Sequence, residues 1–152
     1  MFIKDRLTRG LLAGLSAGIV TKIYDLLAFH YGISTLRWLD FAGIMIYGRK
    51  PVALGEQVFA TFGTWFFHAL LGIIFVFLIQ RVFSSDNLLL KGWFYSISWW
   101  FIIYAVFQLF KVPELASIPL KTALSSFVGA SIWGLLLALA LHWLDRKSNI
   151  TP

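Results

Sequence analysis

The chain has 152 residues, of which 59% are hydrophobic and only 13% charged, with a mean hydropathy of +0.80. A soluble domain of this length has no interior large enough for that much apolar surface, which excludes an ordinary globular fold and points to an integral membrane protein. The formal charge of +6 belongs to Lys and Arg at the ends of apolar runs, where membrane topology and anionic head groups place them, and no nucleic-acid partner is implied; the lack of cysteine excludes disulfides, thiolate metal ligands and cysteine nucleophiles.

In chain order, the first apolar run covers about residues 11–31 and follows Lys4, Arg6 and Arg9. No small-x-small cleavage site follows it, so it reads as a span and not as a signal peptide. Its opening, GLLAGLSAG, sets Gly10, Gly14 and Gly18 on one helix stripe, where a partner backbone can approach closely. The same run carries Lys22 and Asp25. Counted from Leu11, Lys22 lies about 16 Å into the hydrocarbon. A charge at that depth costs about 3 kcal/mol, which an i,i+3 partner of opposite sign reduces.

Residues 34–47 are apolar but too short to span, and they predict an interfacial or re-entrant helix. Ser34 is its candidate cap, Arg37 and Asp40 share one face, and Trp38, Phe41 and Met45 share another. Gly48 and Pro51 end it. Three further runs follow, at about 58–80, 93–110 and 123–144, each long enough to cross about 30 Å of hydrocarbon as a helix. The last carries a second small-residue stripe of Ser126, Ala130, Gly134 and Ala138, which predicts tight packing of the first span against the fourth, within one bundle or across a homo-oligomer.

The predicted fold is therefore all-α: one transmembrane domain, 1–152, forming an integral membrane four-helix bundle with one interfacial or re-entrant helix between spans 1 and 2. Each half opens on a basic residue and a glycine, Arg9-Gly10 and Lys91-Gly92, which suggests a repeated hairpin. Lys and Arg outside the spans number seven on the side of the termini (Lys4, Arg6, Arg9, Arg81, Lys91, Arg146, Lys147). The other side has five (Arg37, Arg49, Lys50, Lys111, Lys121), which favours cytoplasmic termini.

His68 falls level with Lys22, and Gln108 lies nearer the outer surface, so Lys22, Asp25, His68 and Gln108 form a candidate intramembrane polar cluster, to which Tyr24, Thr64 and Tyr104 can add hydrogen bonds. Such a cluster either carries protons, an ion or an anionic head group, or it only fixes helix register. Haem needs two histidines at one depth, and His30, His68 and His142 fall at three. No metal-ligand, P-loop or hydrolase motif occurs, so no enzyme, metal or cofactor is predicted.

Three blocks carry a resemblance. GLLAGLSAGIV with the half-span after it, KGWFYSISWWFIIYAVFQLF and SIWGLLLALAL resemble the first, third and last helices of the YqhR-type bacterial membrane proteins. A fainter likeness to the YagU family lies in the glycine-rich first span with its embedded Lys22. This resemblance implies a four-helix protein of the bacterial cytoplasmic (inner) membrane and no particular activity. The predicted role is a non-enzymatic scaffold or accessory subunit, packing through its helices on a homo-oligomer or a larger membrane complex. The alternative is a small oligomeric transporter or channel lined by the polar cluster.

Overall fold

The computed structural model of the protein describes residues 5–82, 86–115 and 117–147; Lys4 and both extremes of the predicted 1–152 domain lie outside them. Among the described residues the chain is all-helical, without strands. The helices are α1 (Arg6–His30), α2 (Trp38–Tyr47), α3 (Leu54–Arg81), α4 (Leu88–Leu109) and α5 (Leu120–Lys147), with a short 3-10 turn at Pro113–Leu115.

The helices outrun the apolar runs because polar caps extend them. Asp5 accepts from the Thr8 N–H at 2.9 Å and from its hydroxyl at 3.0 Å, which starts α1 at Arg6 and holds the Asp5 carboxyl below the usual carboxylate range. Glu56 accepts from the Val52 N–H at 2.9 Å and from the Arg49 guanidinium at 2.6 Å, which starts α3 at Leu54. Gly48, at φ +70°, closes α2 by donating to the Ile44 carbonyl at 2.9 Å.

Three helices, α1, α3 and α5, are long and apolar enough to cross a membrane. The expectation of a fourth span met a different result at 93–110. There α4 has the length, 22 residues, but Trp, Tyr and Ser replace aliphatic residues along it and it is not among the helices apolar enough to span. Large apolar side chains such as Ile23 on α1 and Phe62 and Phe66 on α3 stand exposed, as a lipid-facing surface requires and a water-facing one does not. The three apolar helices indicate a membrane location.

Contacts run antiparallel from α1 to both α3 and α5, and from α4 to α5, while α2 lies on α3. One core of Ala13, Ala17, Phe75, Val76, Leu137 and Leu141 fills the space between α1, α3 and α5. A second core of Leu36, Phe41, Ile44, Phe107 and Leu115 seals the other end, where the Phe41 ring of α2 stacks on Phe107 of α4 at 5.7 Å. Lipid tails are as apolar as leucine, so close packing and not apolar burial holds such helices together.

The first and fourth predicted spans, α1 and α5, do pack against each other, but within the chain their small-residue stripes face other helices. A Cβ added at Gly10 would lie 2.6 Å from Ile73 Cα, and one at Gly72 would lie 2.8 Å from Gly14 Cα, so the α1 stripe faces α3. A Cβ at Gly92 would lie 2.8 Å from that of Ala138, and one at Gly134 would lie 2.7 Å from the Ser96 Cβ, so the α5 stripe faces α4. The interface between α1 and α5 is made elsewhere, by the Arg9–Asp145 ion pair and by Tyr24, whose hydroxyl donates to the Ser125 carbonyl at 3.2 Å.

Candidate functional site

The most buried line of α1 is not its glycine stripe but the adjacent i,i+4 row of Arg9, Ala13, Ala17, Thr21 and Asp25. Small residues fill the middle and an ionisable residue closes each end. Arg9, 2% exposed, pairs with Asp145 of α5. It is thus a buried inter-helix contact, whereas the basic-residue count had treated it as a free terminal charge. Arg9 pairs across 136 positions of sequence, so no local pattern announces it.

Asp25, 7% exposed, closes the other end, and both of its carboxylate oxygens accept from the Trp38 backbone N–H at 3.1 Å. Trp38 is the first residue of α2, so a carboxylate of α1 supplies the acceptor that a capping side chain ordinarily gives, at the positive end of the α2 dipole. Ser34 does not cap. Its hydroxyl donates to the Leu36 carbonyl at 2.6 Å, and α2 begins four residues later than the predicted 34. Arg37 and Asp40 do share a face: the guanidinium donates to the two Asp40 oxygens at 2.9 and 3.1 Å and lies 4.7 Å over the Phe29 ring.

Lys22 Nζ stands 3.8 Å from Asp25 Oδ2, an ion pair beyond hydrogen-bond reach, with the lysine side chain 15% exposed. The amine has no hydrogen-bond partner among the described residues, and neither do Trp65 Nε1 and His68 Nδ1. The His68 ring is stacked on Trp133 at 5.2 Å and lies against Gly18. A Cβ at Gly18 would lie 2.6 Å from His68 Nδ1, so glycine there makes room for the imidazole.

Two adjoining cavities occupy this region. The smaller, about 10 Å³, is lined by Gly18, Thr21, Lys22, Asp25, Trp38, Thr64, Trp65 and His68. The larger, about 40 Å³, shares Thr21, Trp38, Thr64 and His68 and is otherwise mostly apolar, with Phe67, Trp99, Trp100 and Trp133 among its walls. The structure therefore brings Lys22, Asp25 and His68 together. Gln108 lines neither cavity and is exposed near the end of α4, and Tyr104 faces Ser126 of α5 at 2.6 Å.

Gly10, Gly14 and Gly18 lie on the α1–α3 interface, and Ser126, Ala130 and Gly134 are buried on α5, with Ser126 and Gly134 against α4. The Ser126 hydroxyl accepts from Trp100 and Tyr104, and the Ser125 hydroxyl lies 3.3 Å from that of Tyr24. His30 and His142 are exposed at helix ends, and no group of three His, Asp or Glu that could hold a metal ion occurs among the described residues.

Gly72, Trp65 and Asp145 were not singled out from the sequence, and Arg9 was read only as a terminal charge and the opening of a repeat. Gly72 had a readable signal, because Ala60, Thr64, His68, Gly72 and Val76 repeat at i,i+4 on α3, and four of the five are small or β-branched. No family model matches the chain, and neither a curated protein nor a solved structure matches it.

Proposed function

We propose that the protein is a non-enzymatic multi-pass membrane protein, acting as a scaffold or accessory subunit through helix-to-helix contacts. The observation that carries this reading is the use made of its buried charges. Arg9 ties α1 to α5 and Asp25 ties α1 to α2, so the ionisable groups serve as inter-helix fastenings. The cavities beside the polar cluster, of about 40 and 10 Å³, hold a few water molecules at most and no larger solute.

In this reading α4 crosses beside α1, α3 and α5 to complete a four-helix bundle, its Trp and Tyr donors satisfied by neighbours. The α2 helix lies at the outer end, the termini are cytoplasmic, and the membrane is the bacterial inner one, as the YqhR-like blocks imply. Single cysteines placed in each loop test the topology without interference, since the chain has none of its own. The role itself is tested by purifying the tagged protein from its native membrane in mild detergent and weighing it by native mass spectrometry. Stoichiometric foreign chains are the expected result; a monomer free of partners would sink the proposal.

One observation favours the alternative, a small oligomeric transporter or channel: Lys22 and His68 line one pocket, and Lys22 Nζ and His68 Nδ1 have no hydrogen-bond partner among the described residues. It requires ion- or pH-dependent flux in liposomes. Flux that is unchanged when Lys22, Asp25 and His68 are all neutralised would remove it.

A further inference from the structure

The smaller cavity and the orphaned donors around it make a site of their own, whichever role the whole protein has. Lys22 Nζ, Trp65 Nε1 and His68 Nδ1 are shielded from solvent and lack hydrogen-bond partners among the described residues, and all three residues line the same 10 Å³ pocket. Leaving a polar group unsatisfied in apolar surroundings costs about 1–3 kcal/mol each, and more for an ammonium, so something other than protein is needed there. A volume of that size is at the lower limit for a single water molecule.

We propose that this pocket binds one water molecule, bridging Lys22 on α1 to Trp65 and His68 on α3. The inventory closes: water accepts two hydrogen bonds, from the Lys22 ammonium and the Trp65 indole N–H. It donates two, to His68 Nδ1 and to an Asp25 oxygen with a spare lone pair. A small anion would suit the donors but not the carboxylate, since Asp25 lines the same pocket and offsets the lysine charge.

The larger cavity is the internal contrast. Its hydroxyls are already spent on carbonyls, Thr21 on Ala17 at 2.8 Å, Thr64 on Ala60 at 3.0 Å and Ser96 on Trp93 at 2.8 Å. The Trp133 indole N–H, on the same wall, points to the Gly14 carbonyl at 3.4 Å. Of the unpartnered groups only His68 borders the larger cavity, which it shares with the smaller one, so in this proposal the larger cavity stays dry.

Water-edited solid-state NMR of the wild-type protein in lipid bilayers tests this directly. Magnetisation from water should reach Trp65 Nε1 and the His68 ring several-fold faster than Trp133 Nε1, and Lys22→Met should bring the Trp65 rate down to that of Trp133. Equal, slow transfer to all three in the wild type would overturn the proposal, whether or not the variant folds. A saturable shift of Trp65 Nε1 on titration with chloride would overturn it too, by assigning the pocket to an anion.

Discussion

The α1–α3 pair and the α4–α5 pair are built on one contact and completed in opposite ways. In each, a glycine just after a basic residue meets a glycine of the returning helix: Gly10 approaches Gly72, and Gly92 approaches Gly134. The α4–α5 interface then adds side-chain hydrogen bonds, from Trp93 to Ser131 at 3.1 Å and from Trp100 to Ser126 at 3.0 Å. The α1 helix instead places charged residues at its margins and pairs them outside its hairpin, with Asp145 of α5 and the N-terminus of α2. An aromatic-rich helix brings N–H and O–H groups that must be satisfied along its length. A glycine- and alanine-rich helix brings fewer, of which Tyr24 bonds to Ser125 of α5, and it is oriented chiefly by charges near its two ends.

The comparison breaks most severely at its shared element. Gly72→Leu drives a side chain into the α1 backbone and should cost about 3 kcal/mol or more, read as loss of the folded fraction in mixed-micelle unfolding. Gly134→Leu should cost less, because a side chain, Ser96, is among the atoms that must move.

The marginal charges come next. Asp25→Ala leaves Lys22 without its counterion and α2 without its acceptor, for an expected loss of about 3 kcal/mol in the same assay. Adding Lys22→Met separates the two causes: recovery assigns the loss to the charge, and no recovery assigns it to the cap. Ser126→Ala removes the acceptor shared by Trp100 and Tyr104 and should cost about 1 kcal/mol, measured as a shift in unfolding midpoint. Ser98→Ala, on the exposed face of α4, removes only a hydroxyl bonded to the Phe94 carbonyl and should fall within about 0.5 kcal/mol of wild type. A larger change at Ser98 would mean that this face of α4 has a partner.

The helices were readable from the sequence because apolar run length and breakers such as Gly48 act locally. Their ends were less so, since caps such as Asp5 and Glu56 add a turn beyond the apolar run. The association of Lys22, Asp25 and His68 followed from depth counting along two helices, which needs no knowledge of rotation. Gln108 failed the same argument because depth does not say which way a side chain faces. The stripes showed that α1 and α5 each have a close-packed side, yet a stripe of small residues does not name its partner. Arg9 with Asp145 and Asp25 with Trp38 depend on the third dimension alone.

The Arg9–Asp145 pair has a consequence for biogenesis. The α1 helix leaves the ribosome long before α5, so the arginine it buries has no counterion until Asp145 has been made. Until α5 is inserted, α1 carries an arginine without its partner, so the α1–α5 contact closes only after the intervening helices are in place.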